Sequence, residues 1–216
     1  MKNNTLSSLP SVSPMRFVSA LCLLASIQLS ACAPLVIGGA ALAGKVAIDR
    51  RTAGIQLEDE AIELRSESGL KSILPKNTHA RIHSYNRMVL LTGEVNNAAE
   101  KALAEQFVKS QDNVKSVVND LIISPESSLT QRAQDSLITT KLRALLIQAK
   151  DIHASAVTIV TERGTVYLMG RLTPREAQRV TELISTSNVS GIQKVVKVIE
   201  TISEEDLSRL VAPSKI

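Results

Sequence analysis

The chain has 216 residues, with 25 Lys and Arg against 21 Asp and Glu, and only 2% of its residues are aromatic. This near balance of charge provides no broad basic surface for nucleic acid, and the absence of Trp leaves no stacking platform for single strands. We therefore predict no nucleic-acid partner and a core of Val, Ile, Leu and Ala.

An apolar stretch near the N-terminus ends in the tetrapeptide Leu29-Ser30-Ala31-Cys32. Arg16 precedes it, and residues 17–29 are almost wholly apolar, which is typical of a secretory signal. A Leu, two small residues and a Cys at this point look like a bacterial lipobox. A transmembrane helix is the alternative, because apolar residues resume after the Cys, but Pro34 and nearby glycines argue against one continuous span.

The lipobox predicts a lipoprotein signal peptide over residues 1–31, with Met15 as an alternative true start. Cys32 would carry an N-acyl chain and an S-diacylglycerol, the only cofactor-like groups that we expect. By resemblance to the known sorting rule, Ala33 favours the outer membrane over inner-membrane retention. Residues 32–52 would form a flexible tether, and no disulfide is expected, because Cys22 leaves with the signal.

The rest of the chain contains an internal repeat with a period of about 77 residues. The aligned segments are 80–84 with 157–161, 88–93 with 165–170, and, after a one-residue slip, 114–118 with 192–196. We call residues 53–123 repeat 1 and residues 129–202 repeat 2. Residues 124–128 would be a polar linker with a helix-breaking Pro, and residues 203–216 a C-terminal tail.

Each repeat is predicted to fold as helix, strand, strand, helix, strand. In repeat 1 these elements are expected over 57–73, 80–84, 88–92, 98–109 and 117–123. In repeat 2 they are expected over 137–149, 157–160, 166–169, from a Thr-Pro-Arg-Glu capping box at 173–176 to about 187, and over 195–199.

This order predicts an α+β fold in which each repeat has a three-stranded mixed sheet with two helices on one face. The other face of each sheet then needs a cover, and the sister repeat is the natural one. A unit near 70 residues is marginally stable alone, which favours packing of the two repeats together.

The αββαβ order, with Leu-x-Gly at the second strand of each repeat, resembles the BON domain. The most specific stretches are residues 49–52, 137–143 and 166–173. A lipobox followed by two such domains is similar to outer-membrane lipoproteins that support envelope integrity and concentrate at division sites. The resemblance implies a non-enzymatic protein on the periplasmic face of the outer membrane. Its partners would be anionic phospholipids such as phosphatidylglycerol or cardiolipin.

The resemblance also implies that the first helix of repeat 2 contacts the phospholipid. The matching positions are Leu137, Ile138, Lys141 and Arg143, although the family often has Trp where this chain has Leu137. Leu137 and Lys141 are four residues apart and share one helix face, beside a buried stripe that includes Ile138. The alternative is that Leu137 belongs to the core and the basic residues are simply solvated.

The two first helices differ in charge. Residues 55–74 carry a net charge of −3 and residues 129–150 a net charge of +3. Because a basic residue near an anionic membrane contributes about 1 kcal/mol, the helix of repeat 2 is the one expected to approach lipid. The acidic helix suggests an alternative function as an adaptor. Glu58, Asp59, Glu63 and Glu67 would dock a basic partner, such as an outer-membrane assembly factor or a regulator of cell-wall amidases.

No catalytic constellation is recognisable, so we expect no enzyme. The three histidines are His79, His83 and His153, and no Cys or carboxylate cluster is expected to complete a metal site with them.

Overall fold

The computed structural model describes residues 49–211, and all of them belong to one compact unit. The predicted signal peptide, the lipidation of Cys32 and most of the tether fall outside the described residues. Within the described range, none of the helices is both long enough and apolar enough to cross a bilayer.

Repeat 1 has the predicted element order. Its elements are α1 (Ala53–Ile73), β1 (His79–Tyr85), β2 (Met88–Val95), α2 (Ala98–Lys109), β3 (Ser116–Asn119) and β4 (Ile122–Ile123). Strand β2 is antiparallel to β1 and parallel to both β3 and β4. The single strand predicted over 117–123 is interrupted, because the backbone N–H of buried Leu121 turns to the side-chain oxygen of Asn119.

Repeat 2 has the same order of elements, and its third strand is continuous. Its elements are α3 (Leu129–Gln148), β5 (Val157–Glu162), β6 (Thr165–Leu172), α4 (Pro174–Ser185) and β7 (Lys194–Thr201). Strand β6 is antiparallel to β5 and parallel to β7. The predicted C-terminal tail is not wholly irregular, since α5 (Glu204–Val211) lies within it.

Polar caps decide where the first helices begin, and they place both starts earlier than the sequence predicted. Thr52 accepts a hydrogen bond from the N–H of Ile55, so α1 begins at Ala53 and not at residue 57. Ser128 and Gln131 form a reciprocal capping box, so α3 begins at Leu129 and not at residue 137. The predicted Thr173–Glu176 capping box is confirmed at the start of α4.

Glycines inside β2 and β6 allow the neighbouring backbone to approach closely. A Cβ at Gly170 would lie 2.4 Å from the carbonyl oxygen of Ala156. Gly93 has a φ of +103°, and a Cβ there would lie 1.8 Å from the oxygen of His79. Glycine is therefore required in the Leu-x-Gly pattern of each repeat, because a side chain there would collide with a backbone oxygen of the neighbouring chain segment.

Buried aspartates join the first helix of each repeat to its hairpin turn. Asp59 accepts hydrogen bonds from the N–H groups of Asn86 and Arg87, and Asp135 accepts them from Arg163 and Gly164. All four turn residues have positive φ, as a two-residue type I′ turn requires. The carboxylate satisfies turn N–H groups that the strand ladder does not use.

Alternate residues of the central strands face two different cores. Val89 and Leu91 of β2 pack beneath α1 and α2, and Val166 and Leu168 of β6 pack beneath α3 and α4. Leu90, between the first pair, points to the other face of its sheet. The predicted two helices on one sheet face are therefore present in both repeats.

The two remaining sheet faces pack against each other. The shared core contains Tyr85 and Leu90 from repeat 1 and Val160, Tyr167, Met169 and Val198 from repeat 2. Polar contacts across this interface join Asn86 to Glu200 (2.5 Å), Tyr167 to Asp120 (2.8 Å) and Arg163 to Glu94 (3.0 Å). The prediction that the sister repeat covers each sheet is confirmed.

Residues just before α1 also reach repeat 2. The Arg50 guanidinium, with its side chain 1% exposed, binds both carboxylate oxygens of Glu176 at 2.6 and 2.8 Å and the carbonyl oxygen of Arg171. Arg51 pairs with Asp59 and lies 4.3 Å from the centre of the Tyr85 ring. The last residues of the predicted flexible tether therefore belong to the folded unit.

Candidate lipid-binding face

The outward face of α3 exposes apolar side chains beside a lysine. Leu137 is 59% exposed, so the alternative that it belongs to the core is wrong. Lys141, one helical turn later, is also exposed, and it has no ion pair among the described residues. Leu129 and Ile147 are exposed at the two ends of the same helix, on the flank that also carries Arg143. The face of Leu137 and Lys141 combines an apolar side chain with an unneutralised positive charge.

Ile138 does not belong to this face. It is 6% exposed and packs in the core of repeat 2 with Leu142 and Ile159. Its side chain is directed into the domain and lines one wall of the cavity beside this face, so its contact with lipid stays a prediction. The sequence pattern had also placed Ile138 in the buried stripe, and that assignment is confirmed.

Arg143 is exposed, but it lies on the opposite flank of α3 from Lys141. Two residues of helix separate these positions by about 200°. The Arg143 guanidinium reaches the carbonyl oxygen of Ile159 at 3.4 Å and lines a cleft beside His83 and Arg81. The structure thus joins Leu137 to Lys141 and leaves Arg143 apart from them.

An open cavity of about 480 Å³ adjoins the Leu137 and Lys141 side chains. Polar and charged groups on its walls also come from Gln131, Gln134, Asp135, Arg163, Ser190 and Gln193. Gly191 has a φ of +95°, and a Cβ there would lie 3.0 Å from Ile138 Cδ1, so a small residue keeps this part of the wall close to the helix. The cavity was not predicted, because the sequence gives no signal that the loop before β7 lies beside α3.

The equivalent face of repeat 1 differs at both key positions. The buried residues of α1 and α3 align at a constant spacing along the chain. Those of α1 are Asp59, Ile62, Ser66 and Leu70, and they correspond in the same order to Asp135, Ile138, Leu142 and Leu146 of α3. By this match Ala61 stands where repeat 2 has Leu137, and Arg65 stands where it has Lys141. Arg65 is paired with Glu58 at 3.1 Å.

The acidic residues predicted as a partner surface are largely engaged within repeat 1. Asp59 is 2% exposed and holds the hairpin turn, so it cannot reach a partner and its assignment to that surface is wrong. Glu63 accepts a hydrogen bond from the N–H of Ser84, and burial raises its pKa. The pKa values of Glu58 and Glu67 are lowered by their hydrogen bonds to Arg65 and Lys71.

One histidine lies next to two carboxylates, a cluster that the sequence did not indicate. His79 lies beside Glu94 and Glu162, and one ligand atom from each lies within 4.8 Å of the others. Sequence could not reveal this cluster, because Glu162 comes from the other repeat.

Comparison with known proteins gives matches across the folded unit. The BON domain family matches residues 62–125 and again residues 134–202. The "Outer membrane lipoprotein DolP" of Haemophilus influenzae is 35% identical over 191 residues, which cover 88% of this chain and 97% of that protein.

Two further relatives match over smaller parts of the chain. The "21 kDa hemolysin" of Actinobacillus pleuropneumoniae is 31% identical, covering 72% of this chain and 80% of that protein. An uncharacterized protein encoded in the gshII 5′ region of Anaplasma centrale is 35% identical over 53% of this chain and 71% of its own length.

Proposed function

The chain belongs to the BON domain family, with two copies of the domain, and we propose that it is a lipid-anchored outer-membrane protein that binds anionic phospholipid through α3. Its similarity to an outer-membrane lipoprotein over almost the whole of that protein supports the location. The function is one of binding and requires no catalysis. The observation that carries the proposal is the exposed Leu137 beside the unpaired Lys141.

Two attachments would act together at the membrane. The acyl chains on Cys32 would supply stable anchorage to the periplasmic face. The α3 face would add a weaker, charge-dependent contact, in which Leu137 enters the apolar edge of the headgroup layer and Lys141 meets lipid phosphate. The adjoining cavity, with its amide and hydroxyl groups, offers hydrogen-bonding partners to a polar headgroup.

This contact would determine where the protein lies within the membrane. An anchored domain is already at high local concentration relative to the bilayer, so a modest preference for anionic lipid changes its distribution. Regions rich in phosphatidylglycerol or cardiolipin, such as division sites, would be enriched in the protein. We propose that its contribution to envelope integrity is made there.

Liposome flotation tests the proposal on residues 45–216, which lack the anchored Cys32. We expect binding to vesicles that contain phosphatidylglycerol or cardiolipin and none to vesicles of phosphatidylcholine alone. The double variant Leu137→Glu, Lys141→Glu should lose most of this binding, because it removes the apolar contact and reverses the charge. Circular dichroism should remain unchanged, since both side chains are exposed.

Repeat 1 provides the matched control. The double variant Ala61→Glu, Arg65→Glu makes the equivalent change on α1 and should leave flotation at the wild-type level. Equal losses in the two double variants would show that binding follows net charge and does not depend on the α3 face. No loss in either would remove the basis of the proposal.

A further inference from the structure

Three side chains with metal-ligating atoms meet where the two repeats join. His79 opens β1, Glu94 lies near the end of β2, and Glu162 ends β5 of the other repeat. The distance from His79 Nδ1 is 3.2 Å to Glu94 Oε2 and 3.9 Å to Glu162 Oε1. Their side chains are only 14%, 1% and 11% exposed, so the group is held in place by the surrounding structure.

These distances fit the ligand shell of a zinc ion. Bonds of about 2.0–2.1 Å in tetrahedral geometry separate neighbouring ligand atoms by about 3.3 Å. The His79–Glu94 distance is close to this value, and the His79–Glu162 distance of 3.9 Å is somewhat longer. One nitrogen and two carboxylate oxygens leave a fourth position for water, a common arrangement for zinc.

Groups around the three ligands help to orient them. Arg163 Nη1 binds Glu94 Oε1 at 3.0 Å, and the other oxygen, Oε2, faces His79 and accepts a longer hydrogen bond of 3.3 Å from the Ser127 hydroxyl. Hydrogen bonds of this kind, made by groups that do not touch the metal, are the usual means of fixing ligating carboxylates. The neighbouring Arg132 is bonded to Glu126 and Ser127.

Glu162 lacks a cation partner. Within the described residues, no Lys or Arg forms an ion pair with its carboxylate. Burial, and then the negative charges of Glu94 and Asp135, raise its pKa to about 7, against smaller opposite effects of Arg81 and Arg132. A divalent cation between Glu94 and Glu162 would offset the repulsion between the two carboxylates.

We propose that His79, Glu94 and Glu162 bind a zinc ion that ties repeat 1 to repeat 2. Two ligands come from one repeat and one from the other, so the ion bridges the interface next to the Arg163–Glu94 contact. Zinc is favoured over calcium or magnesium because those ions prefer shells made entirely of oxygen. The site is independent of the lipid-binding face, and the proposed function does not require it.

The test uses the full chain in detergent, without a polyhistidine tag and with Cys22→Ser and Cys32→Ser in every sample so that no thiol competes for metal. Zinc chloride at about 100 times its Kd should raise Tm by about 5–10 °C. Co²⁺ should give the strong visible absorption of a tetrahedral site. Both signals should be lost in Glu162→Gln and His79→Ala, because each variant removes one of the three protein ligands.

His153→Ala is the control, because this exposed histidine lies outside the cluster of His79, Glu94 and Glu162, and it should retain both signals. If His79→Ala does not fold, Glu162→Gln alone tests the proposal, because it preserves the shape of the side chain. Absence of a zinc-dependent shift in the parent chain would overturn the proposal. A shift that survives in Glu162→Gln would also overturn it, because zinc would then bind elsewhere.

Discussion

Asp59 and Asp135 stabilise the fold, although in the sequence they look like surface charges. Both carboxylates are buried and face two backbone N–H groups of a tight hairpin turn. In sequence they fall among other charged residues of an amphipathic helix, and Asp59 was accordingly predicted to face a partner. The turn that each aspartate satisfies begins 27 or 28 residues away, beyond the reach of helical periodicity.

Asp135→Ala should lower the free energy of unfolding by about 2–4 kcal/mol, because it leaves two turn N–H groups without an acceptor. Urea denaturation of residues 45–216 measures this change. Asp135→Asn should cost less, since its amide oxygen still accepts one of the two hydrogen bonds. Equal, small changes in both variants would mean that water replaces the carboxylate without cost.

At the scale of elements, the helices and strands were largely predictable, and their ends and partners were not. Alternating apolar residues predicted both hairpins, since they report local burial. The early start of α3 depends on a Ser128–Gln131 cap, which short-range patterns could have identified. Arg50 and Glu176 are 126 residues apart in the sequence, so no local pattern predicts their contact.

The Arg50–Glu176 pair makes the segment before α1 part of the folded unit. Arg50→Ala should lower the free energy of unfolding by about 3 kcal/mol, because it leaves the Glu176 carboxylate partly buried without its cation. Thermal or urea denaturation measures the loss. Arg175→Ala, which breaks the exposed pair with Glu204, should not differ measurably from wild type. A similar loss in the two variants would contradict the structural role of Arg50.

At the scale of the whole molecule, the repeats are copies of one fold whose sheets cover each other and whose first helices face outward with different surfaces. The sequence predicted the packing and the difference in net charge. It did not predict that Arg143 points away from Leu137 and Lys141, or that most acids of α1 are already paired. The proposed difference in lipid binding between the repeats therefore depends on the two exposed positions Leu137 and Lys141 more than on the net charge of each first helix.

A nuclear magnetic resonance titration of labelled residues 45–216 tests this distinction most directly. Micelles of phosphatidylglycerol should shift and broaden signals along α3, with the largest effects around Leu137 and Lys141, and leave α1 unchanged. Micelles of a phosphatidylcholine should affect neither helix. Shifts concentrated on α1, or equal shifts of α3 with both lipids, would contradict the account.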